Sequence, residues 1–248
     1  MYLRYLEHEG IAISRGLVRD VSHIHKFGAV PAMSTGVTGT VWDKSDTLYP
    51  WSAFSSASVL GVATFLANGT ASTLDDGKTV TIIGLDSNFD VQQETVTIAS
   101  GVATTTNQFI RVYRAYTSAD NLTQVRVSAN GTEVLRINIG VAQTLMSVYT
   151  VPAGYKGYLV KGTASCQYGG DATGNMFVRY GGTGAFRVGH SFEVSGAGGQ
   201  YVYDFPVPTE LPEKTDIDIR VTVRTNNSRL TAAFDIILIN QEGSGERT

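Results

Sequence analysis

The chain is short of the residues from which many catalytic and metal sites are made. It has one cysteine and four histidines in 248 residues. A single thiol excludes a disulfide framework or a cysteine-rich metal cluster within one chain. Cys166 therefore reads as a small buried hydrophobe rather than a nucleophile. Charged residues make up only 17%, against about 25% in an average globular protein. With 19 basic and 22 acidic side chains the net charge is −3, which leaves no positive field for general nucleic-acid binding. No run approaches the roughly 18 uninterrupted apolar residues of a membrane span. The start, Met1-Tyr2-Leu3-Arg4-Tyr5-Leu6-Glu7-His8-Glu9, lacks the apolar stretch of a signal peptide. Synthesis in a cytoplasm is expected, and membrane insertion is not.

What is present is apolar and rich in turn residues. Hydrophobic residues reach 42% and glycines number 27, enough to bury a core and to exclude a disordered chain. From Ser58 onward the pattern is strand after strand. Thr79-Val80-Thr81-Ile82, Glu94-Thr95-Val96-Thr97-Ile98 and Leu135-Arg136-Ile137-Asn138-Ile139 alternate with period two. Asn68-Gly69, Asp76-Gly77, Ser100-Gly101 and Asn130-Gly131 supply the positive φ angles of hairpin turns. In the clearest strand, Asp216 to Arg224, Ile217, Ile219, Val221 and Val223 take one face. Asp216, Asp218 and Arg220 take the other, so they are expected to face water, with Asp218→Asn costing under about 1 kcal/mol. The last strand, Phe234 to Ile239, is apolar on both faces and is expected to be central or covered by another subunit.

These signals predict an all-β protein: two antiparallel β-sandwich (jelly-roll-like) domains preceded by an extended N-terminal arm. Residues 1–50 form the arm, 51–146 the first domain, 147–242 the second and 243–248 a flexible tail. The arm holds Ile11, Ile13, Leu17, Phe27 and Trp42, with Trp51 just beyond, yet has too little regular pattern to enclose them. It is expected to dock on a neighbouring copy or another protein, with the outer side of the last strand, Ile237 and Ile239, as the contact. Deleting residues 1–40 is then expected to leave a folded core that no longer assembles.

Few constellations suggest chemistry. His23-x-His25 places two imidazoles on one strand face, but no third ligand is evident, and a polar edge pair is the simpler reading. Asp216 and Asp218 have the spacing of paired carboxylates, yet Arg220 and Arg224 on the same face favour a ladder of charge pairs. The glycine-rich stretches at 169–174 and 181–184 lack a following Lys-Ser/Thr and read as loops. No catalytic residue, metal ligand or cofactor is expected. Tyr168, Tyr201 and Tyr203 are candidate platforms for stacking a sugar ring, although aromatics of this kind are more often core or subunit contacts.

Tyr149-Thr150-Val151-Pro152-Ala153-Gly154-Tyr155-Lys156-Gly157-Tyr158-Leu159 resembles a pattern in a family of tailed-phage virion structural proteins, many from marine phages. So do Phe205-Pro206-Val207-Pro208 and the run from Leu211 to Arg220, then Ala232 to Leu238. Towards the front, His25-Lys26-Phe27-Gly28, Val41-Trp42-Asp43, Tyr49-Pro50-Trp51 and Ile83-Gly84-Leu85-Asp86 fit as well, with Glu94-Thr95-Val96 and Phe109-Ile110-Arg111-Val112. The resemblance implies a non-enzymatic virion component on the head shell, as decoration or accessory protein, or on the neck or tail. Its partners would be copies of itself, a trimer being the expected closure, and capsid, neck or tail proteins. The alternative is a receptor-binding or carbohydrate-binding module that takes host-surface glycans.

Overall fold

The computed structural model describes residues 9–167, 171–196 and 198–241; Tyr168 and the 243–248 tail lie outside them. Among the described residues one short α-helix, α1 (Glu9–Ser14), precedes sixteen strands. They are β1 (Val21–Met33), β2 (Thr38–Thr40), β3 (Leu60–Phe65), β4 (Thr79–Leu85), β5 (Val91–Thr97), β6 (Val102–Thr104), β7 (Arg111–Thr117) and β8 (Gln124–Ala129). There follow β9 (Thr132–Ile137), β10 (Val148–Thr150), β11 (Tyr155–Gln167), β12 (Ala172–Arg179), β13 (Arg187–Val194), β14 (Gln200–Leu211), β15 (Asp216–Val223) and β16 (Ser228–Asn240). The protein is nearly all β, and these strands pair antiparallel.

The strands form four sheets around two cores. Sheets β6-β3-β8-β9 and β5-β4-β7 enclose a cluster whose members run from Trp42 to Val148, the first lobe. Sheets β1-β16-β11-β14 and β10-β15-β12-β13, with β2 against β15, enclose the other. There Val30, Leu159, Phe234 and Ile236 share a core with Met176, Ile217, Ile219 and Val221, the second lobe. At the hairpins the predicted turn chemistry is specific. Ser100-Gly101 and Asn130-Gly131 both have positive φ at each residue, as a type I′ turn requires. Asn68-Gly69 and Asp76-Gly77 turn with positive φ at the glycine only.

The N-terminal segment corrects the sequence expectation. It is not an extended arm: β1 pairs along its length with β16, from Val21 opposite Ile239 to Val30 opposite Leu230. β2 pairs with β15. Val30, Met33 and Val41 are buried in the second core, and Trp42 and Trp51 are buried in the first. Of the apolar residues assigned to a partner, Trp42 and Trp51 are thus enclosed by their own chain, while Ile11, Leu17 and Phe27 stay exposed. A long backbone segment gains from this because its N–H and C=O groups find partners on an otherwise open edge of β16. The last strand is central, between β1 and β11.

Gly28 shows how closely β1 is held. A Cβ there would lie 2.4 Å from the Val41 carbonyl oxygen and 2.5 Å from the Ser147 backbone nitrogen. Backbone cannot yield as a flexible side chain does. Gly28→Ala is expected to cost about 1–3 kcal/mol, read as a lowered urea midpoint; an unchanged midpoint would mean that β1 is not clamped.

Candidate functional site

β15 alternates as predicted, but both of its faces are covered, and this is the second correction. Ile217, Ile219, Val221 and Val223 face the second core, while Asp216 and Asp218 are fully buried against the first lobe rather than facing water. Asp216 accepts hydrogen bonds from Arg111 Nε at 2.9 Å and Nη2 at 3.1 Å. It also accepts from Arg179 Nε at 2.8 Å and Nη2 at 2.6 Å, and from Thr150 Oγ1 at 2.6 Å. Asp218 accepts from Thr40 Oγ1 at 2.8 Å, Trp51 Nε1 at 3.0 Å and Arg220 Nε at 2.8 Å. The guanidiniums also lie over aromatic faces: Arg111 over Trp51 and Phe89, and Arg179 over Trp51 and Phe186. Charge-assisted bonds and cation–π contacts of this density hold the two lobes together across a seam. Both carboxylates are occupied by cations and donors, so neither is free to meet a substrate.

The outer face of the β1-β16-β11-β14 sheet carries exposed apolar side chains. Register places Phe27, Ala233, Thr163 and Val202 in one row across all four strands. Phe27 is 40% exposed and Val202 57%. The next row is polar, with charged Asp235, Lys161 and Asp204 beside His25. Beyond it lie His23, Ile237, Tyr158 and Glu210, and Ile239 follows opposite Val21. Ile237 and Ile239 are half-buried. Ile11 and Leu17 are exposed and Ile13 is partly buried. Of the residues predicted for assembly, this face brings together Phe27, Ile237 and Ile239; Trp42 and Trp51 are removed from any surface by burial.

His23 and His25 do share a face, as their spacing predicts. Their rings converge on one oxygen of Asp235, His23 Nε2 at 2.9 Å and His25 Nδ1 at 2.7 Å. Sequence reading missed Asp235 because it lies 212 positions from His23. No group of three His, Cys, Asp or Glu residues that could hold a metal is found among the described residues. Tyr201 and Tyr203 lie 6.4 Å apart with nearly parallel rings, in a cluster with His190, Phe192 and Phe205. His190 Nε2 is hydrogen-bonded to the Tyr201 hydroxyl. Tyr203 is 39% exposed, while Tyr201 is partly buried.

Where β1 meets the first lobe, two buried ionisable groups carry shifted pKa values. Burial, helped by the charge of Arg114, pushes the Lys26 ammonium down to about 7. Burial pushes the Asp43 carboxyl up to about 8, against the opposing pull of the Leu145 N–H. The signs follow from linkage. Asp43 holds its proton more tightly folded than unfolded, so its contribution to stability falls as pH rises from about 4 to about 8. Lys26 holds its proton less tightly when folded, so its contribution recovers as pH rises from about 7 to about 10.5. Each slope is at most about 1.4 kcal/mol per pH unit. Together they are expected to put a trough in stability between about pH 7 and pH 8. Urea midpoints across this range, compared with those of a Lys26→Met/Asp43→Asn variant, should show the trough in the parent alone.

No protein-family model matches the chain, and no curated protein matches it. Among solved structures it is similar to one of the infectious bursal disease virus Gt strain, with 10% identity over 92% of this chain and 74% of the other at a TM-score of 0.25. The corresponding figures for the Gx strain are 12%, 92%, 72% and 0.25. For the VP2 subviral particle of infectious bursal disease virus they are 10%, 90%, 73% and 0.23. At such TM-scores the likeness carries no argument about this chain's fold or function.

Proposed function

We propose that the protein is a non-enzymatic structural subunit of a tailed-phage virion, attached to the head shell or to the neck and tail. In this reading its two sandwich-like lobes act as one body that joins copies of itself, three in a closed ring, and other virion proteins. The observation that carries the reading is the row Phe27-Ala233-Thr163-Val202 on the outer sheet face. Exposed Phe27 and Val202 lie there with Ala233 and Thr163, between a row bearing Asp235, Lys161 and Asp204 and an uncharged row of Ala29, Thr231, Ser165 and Gln200. Such a mixture of apolar and polar groups suits a subunit contact. The resemblance of the sequence to virion proteins supports the same reading. A Phe27→Glu/Val202→Glu variant places charge on this face without touching either core. It is expected to keep the β circular dichroism of the parent while light scattering shows a monomer where the parent is oligomeric. Mass spectrometry of purified particles should find the parent chain and not the variant. A parent absent from particles would remove the virion reading.

The parallel Tyr201 and Tyr203 rings, with Tyr203 exposed, favour a second reading in which the chain also recognises host-surface glycans by ring stacking. Glycan-array binding that is lost in Tyr203→Ala tests it.

A further inference from the structure

Between β1 and β7 the two lobes leave a cleft of about 310 Å³. Lys26 reaches it from β1 and Arg114 from β7. Lys26 is only 8% exposed, and its ammonium donates to the Tyr113 carbonyl oxygen. No carboxylate lies within ion-pair distance of Lys26 or Arg114 among the described residues. The two nearby acids are engaged elsewhere. Asp43 accepts from the Leu145 N–H and from Asn138, and Asp235 is taken by His23 and His25.

Two basic side chains therefore line one cleft with no carboxylate in ion-pair range, and Lys26 has been removed from water. A buried cation left this way costs several kcal/mol unless it sheds its proton or gains an anion. The depressed Lys26 pKa is the first of these outcomes. The seam on β15 gives the contrast: there each buried carboxylate has its cations within 3.1 Å. The rest of the cleft is suited to more than a bare ion. Ile83 and Tyr113 form an apolar wall, Phe27 stands among the lining residues, and Gln143 offers an amide. A concavity of about 310 Å³ with polar groups on one side and an apolar wall on the other has the size of a small-ligand pocket.

We infer that this cleft binds a small ligand bearing an oxyanion, a carboxylate or a phosphate, on a body no larger than a sugar ring, with Lys26 and Arg114 holding the charged end. The site is complete within one chain and its charged end, Lys26 and Arg114, lies outside the proposed contact row, although Phe27 borders both. Titration calorimetry of the full chain at constant ionic strength, with glucuronate, inorganic phosphate and neutral glucose, tests it. Saturable binding of glucuronate or phosphate is expected, with glucose at least tenfold weaker. Which of the two anions binds more tightly distinguishes a carboxylate from a phosphate ligand. Arg114→Gln, on an exposed side chain, should weaken binding about tenfold or more, and Lys26→Met should abolish it. Lys26→Met removes a desolvated charge, so it is expected to stay folded, checked by circular dichroism. Absence of saturable binding by both anions, equal binding of glucose, or binding unchanged in both variants would each overturn the proposal.

Discussion

Replacing Asp216 by Ala is expected to destabilise the protein by about 3–5 kcal/mol, the cost of stranding a buried charge by removing its partner. Arg111 is 4% exposed and would keep its guanidinium against Trp51 and Phe89 with no anion to face. Arg179 and Thr150 would lose the same acceptor. Against a total stability of about 5–15 kcal/mol for a typical protein, that is a fifth of the whole or more. Asp218→Asn is also expected to cost well over 1 kcal/mol, because the Arg220 guanidinium would lose its charged partner. Guanidinium or urea unfolding followed by both circular dichroism and tryptophan fluorescence reads these losses. A seam variant as stable as the parent would show that the lobes are held by apolar contact alone.

Deleting residues 1–40 is expected to prevent soluble folding, which reverses the expectation from sequence alone. The deletion removes β1 and β2 and takes Val30 and Met33 out of the second core. Those two side chains alone are worth about 3–6 kcal/mol. β16, thirteen residues long, would become an open apolar edge and a template for aggregation. Deleting residues 1–19 instead spares every strand and should leave the β spectrum intact. If the 1–40 deletion folds and stays soluble, β1 is an accessory strand and the original idea of a detachable arm returns.

What the sequence made legible was local. The period-two alternation of Ile217, Ile219, Val221 and Val223 identified the strand and its inward face. Asn130-Gly131 and Ser100-Gly101 identified tight turns. The outward assignment of Asp216 and Asp218 rested on their charge, and the partners that allow them to be buried are remote. Arg111 lies 105 positions from Asp216, and Trp51 lies 167 from Asp218. No window of sequence contains that information. β1 was hidden for a different reason. Its inward row reads Ile24, Lys26, Gly28, Val30, and a lysine followed by a glycine breaks the apolar pattern by which a strand is recognised. Both residues are there for the junction with the first lobe, Gly28 for backbone clearance and Lys26 at the cleft. Asp235, the shared partner of His23 and His25, escaped notice in the same way as the partners of Asp216.

The chain enters the second lobe at β1, leaves it to build the first lobe, and returns to finish where it began. This order has a kinetic consequence. The first lobe is built from one continuous stretch and can close as soon as residue 148 or so has been synthesised. β1 must wait for β16, more than two hundred residues later, and loops of that length close slowly relative to local hairpins. Through that interval β1 is an unpaired strand carrying Phe27, Val30 and Met33. At high local concentration the β16 of a neighbouring nascent chain is an equally good partner. Refolding should therefore show a fast phase from the first lobe and a slower one from the second, and the share of strand-exchanged dimer should rise with the protein concentration at which refolding begins.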